Sequence, residues 1–98
     1  FGVGEMNEDC LFLNVWSPHN SSKSKSVMFW IHGGGLQSGS IFDDMLNGTP
    51  LALFDVVVVS VNYRLGPMGF LYGGSEEAPG NVGLYDQLLA LKWVKFIL

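Results

Sequence analysis

Val27-Met28-Phe29-Trp30-Ile31-His32-Gly33-Gly34-Gly35 is an apolar run that stops abruptly on a histidine and three glycines. The run does not alternate with polar residues. Such a strand is expected inside a sheet covered on both faces, typically a parallel one. The glycines that follow have no Cβ and accept positive φ, so their backbone N–H groups can be approached closely. Donors of this kind, aimed at an oxygen that gains negative charge, lower an acyl-transfer barrier by roughly 3–4 kcal/mol each. Three glycines alone would mean only a tight turn. The strand before them and the long crossover after them favour an oxyanion loop.

A second buried-type run, Val56 to Asn62, reads as the next central strand. Between Ile31 and Val56 there is ample chain for a parallel crossover, which needs a dozen or more residues. Leu11 to Trp16 reads as an earlier strand, and Ser17 to Ser26 as a polar turn. Pro50 to Phe54 is expected as a short helix, with Thr49 as cap and Pro50 at its first position. Tyr63 to Asn81 reads as a long loop punctuated by Gly66-Pro67, Gly73-Gly74 and Pro79-Gly80. Asn81 then suits the N-cap of a helix running from about Val82 to Leu98. Leu84, Leu88, Leu91, Val94 and Leu98 share one face of it, while Leu89, Trp93, Phe96 and Ile97 cover the other. A helix apolar on both sides is expected between other elements. The order strand, crossover, strand, helix is α/β.

Ninety-eight residues, 48% hydrophobic and 14% charged, fit one small globular domain. A net charge of −4 without a basic cluster excludes the usual nucleic-acid binding footprint. No apolar stretch approaches the roughly 18 residues that span a membrane. The chain starts at Phe1 without a signal region and ends in Phe96-Ile97-Leu98. Those ends, and two strands too few for a covered sheet, lead to the expectation of a parent protein several times longer. Cys10, the single cysteine, is either a buried free thiol or half of a disulfide. Two sequons, Asn20-Ser21-Ser22 and Asn47-Gly48-Thr49, favour glycosylation and a secreted location. His19 lies in the polar turn and is expected at the surface.

Four blocks together resemble the type-B carboxylesterases, the group that includes the cholinesterases. They are Glu8 to Val15, Trp30 to Gly35, Asn62 to Gly66 with Gly69-Phe70-Leu71, and Pro79 to Leu84 with Asp86-Gln87. The resemblance implies an α/β-hydrolase fold, with a central, mostly parallel sheet and flanking helices, of which residues 1–98 form an incomplete part. It implies a serine carboxylesterase that forms an acyl-enzyme and needs no cofactor and no metal. Its partner is a small ester substrate, and the sequence leaves the oligomeric state open. Position by position, Gly34 and Gly35 match the oxyanion-hole glycines. Cys10 matches a cysteine that pairs with one upstream, and Arg64 and Asp86 match an ion pair. His32 is expected to orient the glycine loop rather than act as a base.

Leu36, Gln37, Phe42 and Leu46 are candidates to line the substrate pocket. Acetylcholinesterases carry tyrosines at the positions matching Gln37 and Leu46, so their absence here argues against a choline-ester preference. The Gly-x-Ser-x-Gly elbow that supplies the nucleophile in this family does not occur in the 98 residues. The chain alone is therefore expected to be inactive. The alternative from another class is a non-catalytic adhesion homologue such as the neuroligins, against which the intact Gly33-Gly34-Gly35 speaks.

Overall fold

A computed structural model describes residues 7–19 and 24–97. Its centre is a three-stranded sheet in the order β1-β3-β2, formed by β1 (Leu13–Trp16), β2 (Val27–Ile31) and β3 (Val57–Val61). Strand β2 runs parallel to β3, with Phe29 opposite Val59, as the long crossover predicts. Strand β1 pairs antiparallel to β3, with Leu13 opposite Val61. The described sheet is therefore mixed, not mostly parallel: one of its pairings has each sense.

The two β-branched runs have different fates. Every residue of β3 is buried, and Val59 is 0% exposed. Among the described strands β2 has one neighbour, β3. Its other side is free of the described strands, and Val27, Met28, Trp30 and Ile31 are each 41–49% exposed within the described residues. An unbroken apolar run reports that both faces want cover. It carries no information about which strand lies alongside.

One face of β3 presents Val57, Val59 and Val61. These pack with Leu13, Phe29 and the helix residues Ala90 and Val94. The helix is α3 (Val82–Ile97), which starts where the sequence placed it. Asn81 precedes it with φ 59°, and its carbonyl accepts the N–H groups of Leu84 and Tyr85. Gly83, Asp86 and Val94 are buried, whereas Leu88, Leu89, Trp93 and Phe96 are exposed. Within the described residues, then, the helix is covered on one side only.

The crossover carries a 3-10 turn, Asp44–Leu46, and a short helix α1, Thr49–Ala52. Its cap is Gly48, not Thr49, and the first N–H of the helix is taken by the Asn47 side chain. The reason is packing: a Cβ at Gly48 would overlap the Trp16 ring and come within 2.9 Å of Val58 Cγ1. Thr49 is thereby drawn into the first turn.

The stretch from Tyr63 to Asn81 is not a plain loop. It holds α2 (Gly66–Phe70) and a hairpin of β4 (Tyr72–Ser75) with β5 (Ala78–Pro79). Gly66-Pro67 reads as a breaker in sequence, but a proline in the first turn starts a helix, because the N–H it lacks has no helical partner there. Among the described residues no helix is long and apolar enough to cross a membrane.

Candidate active site

His32 leaves the end of β2 and is buried at 3% exposure, while Gly33, Gly34 and Gly35 are exposed. The ring of His32 stacks on Tyr63, with centroids 4.7 Å apart. Its Nδ1–H donates to the Gly33 carbonyl at 2.9 Å. Since a carbonyl only accepts, this bond fixes the proton on Nδ1. The Tyr63 hydroxyl donates to the His32 carbonyl at 3.0 Å.

The glycine loop closes on itself through one acceptor. The Gly34 carbonyl takes the N–H groups of Gln37 at 3.1 Å and Ser38 at 3.2 Å, and the Ser38 hydroxyl at 3.2 Å. Gly34 and Gly35 have φ of 134° and 63°, and a Cβ on Gly34 would overlap the Ser38 carbonyl. In a trans peptide the C=O and the following N–H point in opposite directions. Turning the Gly33 carbonyl to His32 therefore turns the Gly34 N–H away from that ring. Turning the Gly34 carbonyl into the loop turns the Gly35 N–H out of it. Among the described residues neither N–H donates to a protein acceptor.

The far end of the loop is held from the same side as the near end. Gly66 N–H donates to the Leu36 carbonyl at 2.7 Å, and Leu36 itself has φ 63°. Tyr63 and Gly66, three residues apart, thus grip the chain at His32 and at Leu36. Leu36 and Gln37 are exposed beside the loop, and neither lines the cavity over Ser60 or the one between β1 and α3. Phe42 is also exposed, whereas Leu46 lines an apolar cavity of about 220 Å³ with Met28, Trp30, Leu51 and Ser60. The Ser60 hydroxyl, buried against that cavity, has no hydrogen-bond partner among the described residues.

Arg64 and Asp86 meet in a three-point clamp. Arg64 Nε and Nη2 donate to the carboxylate at 2.8 and 2.7 Å, and the Arg64 backbone N–H donates at 3.0 Å. Burial alone would push the Asp86 carboxyl up. The hydrogen bonds and charge of Arg64 outweigh it and hold the group below its ordinary range. The same bond from Asp86 raises Arg64. The Arg64 carbonyl is enclosed by Gly69 and Gly83, where any Cβ would overlap it. The clamp fixes the chain between Tyr63 and α3.

Two residues with structural duties carry no signal that sequence reasoning used. Asn62 accepts the Ile41 N–H and donates to the Cys10 carbonyl, both at 3.0 Å, so it joins three segments. Tyr63 sits inside the Asn62-Tyr63-Arg64 block but was given no role; a tyrosine between a strand end and a paired arginine is the available clue. Cys10 is a half-buried free thiol in the described chain. His19 is exposed, as expected. Asn47 is exposed, with its Oδ1 accepting the Thr49 N–H at 2.8 Å, whereas Asn20 lies outside the described residues.

Comparison with known proteins gives the family. The model of the carboxylesterase family matches residues 2–97. The chain is 57% identical over 91 residues to "Cholinesterase 1" of Branchiostoma lanceolatum, covering 92% of this chain and 26% of that protein. It is 57% identical over 94 residues to "Acetylcholinesterase-1" of Trittame loki, covering 91% and 17%. It is 57% identical over 93 residues to "Acetylcholinesterase" of Danio rerio, covering 92% and 15%. The chain thus spans about a quarter or less of the length of these relatives.

Proposed function

Since the chain belongs to the carboxylesterase family, we propose that it is the oxyanion-loop portion of a serine carboxylic-ester hydrolase with the α/β-hydrolase fold. The observation that carries this reading is the orientation of two peptide groups. His32 and the loop interior each take a glycine carbonyl, and the N–H groups of Gly34 and Gly35 are left facing outward. Two such donors beside an ester carbonyl stabilise the oxygen as it becomes an oxyanion, and they need no reorganisation at that moment.

In the proposed reaction a serine supplied from outside these 98 residues attacks the ester carbonyl. The alcohol leaves, and water then releases the acid from the acyl-serine. His32 acts by position: with Nδ1–H committed to the Gly33 carbonyl, it aligns the Gly34 donor and is not the base. Leu36 and Gln37, exposed beside the loop, would wall the acyl or alcohol side of the pocket. A secretory location accords with the exposed Asn47 of one sequon and with Cys10 as one half of a disulfide. The relatives are named as cholinesterases, which does not favour a non-catalytic adhesion role.

The test compares this chain with the whole protein on short neutral esters and on acetylthiocholine. The chain alone should show no turnover above buffer. In the whole protein Gly34→Ala should lower kcat by about 100-fold, the size of one displaced oxyanion donor. Gly35→Ala puts a Cβ in open space but strains a φ of 63°, so the folded fraction of each variant is measured beside its kcat. Turnover by the chain alone, or an unchanged kcat in both variants, would overturn the reading.

A further inference from the structure

We propose that Asn47-Gly48 is a site of spontaneous succinimide formation, at which Asn47 converts to aspartate and isoaspartate unless its Nδ2 already carries a glycan. This is the one asparagine of the chain that is followed by glycine. The side chain is exposed, and its Oδ1 accepts the Thr49 N–H at 2.8 Å. That bond bends the side chain back along the backbone over Gly48, as in an Asx turn. Among the described residues the Gly48 N–H donates to no protein acceptor, so attack breaks no existing bond. The Thr49 N–H lies on the oxygen that gains charge during attack. It therefore stabilises the tetrahedral species as an oxyanion donor does.

In the first step the Gly48 nitrogen bonds to Asn47 Cγ. The Cγ–Nδ2 bond breaks, and Nδ2 leaves as ammonia carrying the former Gly48 amide proton. Water then opens the five-membered ring. Addition at Cγ gives aspartate, and addition at the main-chain carbonyl carbon gives isoaspartate, which routes the backbone through Cβ and Cγ. Nδ2 is the leaving group here and the acceptor atom in glycosylation, so the two fates exclude each other.

The fold explains why so labile a pair persists. Gly48 is buried, and any side chain there would overlap Trp16 and crowd Val58, so packing demands the glycine that puts no Cβ beside the attacking nitrogen. Either product replaces the neutral amide by a carboxylate at the mouth of the apolar cavity that Asn47 lines, and it destroys the Asn-Gly-Thr sequon.

The experiment follows the full chain, produced without glycosylation and incubated at neutral to mildly alkaline pH, by peptide mapping. A mass gain of about 1 Da should appear at Asn47 before any of the other asparagines. It should be accompanied by isoaspartate and should quicken as the pH rises. Thr49→Ala made in a secretory host removes the sequon but keeps both reacting groups, and it should convert likewise. Protein glycosylated at Asn47 should not convert. The proposal is overturned if Asn47 stays intact in the folded chain over a period in which the denatured chain converts. It is equally overturned if Asn20 or another asparagine converts first. Absence of a glycan at Asn47 in the secreted wild type would count against the glycosylation reading, and conversion there would still support this one.

Discussion

Replacing Asp86 by asparagine takes one charge from the clamp that joins β3 to α3 and leaves the shape unchanged. The carboxylate accepts three hydrogen bonds, two on Oδ2 and one on Oδ1. An asparagine can keep the Oδ2 pair. Its amide nitrogen then faces Arg64 Nη2, donor against donor. A hydrogen bond to a charged group contributes about 1.5–3 kcal/mol, and an exposed pair far less. The Asp86 side chain is 6% exposed and that of Arg64 41%, so the guanidinium can turn partly to water. The expected cost of Asp86→Asn is therefore about 2 kcal/mol, below the ~3–5 kcal/mol for stranding a fully buried charge. With a urea slope of about 1 kcal/mol/M for a chain of this size, the midpoint should fall by about 2 M at unchanged slope.

The acid limb gives a second readout. The folded Asp86 carboxyl titrates below its ordinary value, so the unfolded chain binds the proton more readily. The stabilisation is then complete above about pH 4, the ordinary carboxylate value, and is lost as the pH falls through the lower folded value. Asp86→Asn should flatten that limb. Tryptophan fluorescence in urea at a series of pH values measures both effects. A loss below about 0.5 kcal/mol, or an acid limb unchanged in the variant, would refute the reasoning.

Tyr63→Phe keeps the stack on His32 and removes the hydroxyl from a buried carbonyl. It should cost about 1 kcal/mol by the same assay and speed amide exchange in residues 33–36. Gly83→Ala forces a Cβ against the Arg64 carbonyl and 2.8 Å from the Phe70 ring, neither of which can retreat freely. A loss of about 2–3 kcal/mol is expected in thermal unfolding, more than any helix-propensity gain returns. Asp55→Asn removes the ion pair with Lys25 but keeps a residue type that tolerates φ 68°. Because Asp55 is 69% exposed, the stability read from urea unfolding should change by less than about 0.5 kcal/mol.

Much of this protein is written along the chain itself. Apolar runs without polar alternation mark β2 and β3, and the spacing between them dictates a parallel pairing. The 3.6-residue period from Val82 marks α3, because side-chain periodicity follows directly from backbone geometry. The glycine loop is equally legible, since only glycine tolerates a Cβ-free approach and φ of 134°. Family membership follows from the same motifs.

Lateral order and peptide orientation are different. Nothing local in Val27–Ile31 or Val57–Val61 says which of the two has Leu13–Trp16 beside it, since both runs ask equally for cover. Hydrogen-bond partners distant in sequence decide that. The outward N–H groups of Gly34 and Gly35 exist because His32 and Ser38 capture the opposite carbonyls, and His32 is itself held by Tyr63 from the segment that follows β3. The glycine at 48 is imposed by Trp16, far away along the chain. Sequence fixes which conformations each segment can adopt, because sterics and burial act residue by residue. Only tertiary structure selects among them, because that choice rests on contacts between segments that no local pattern encodes.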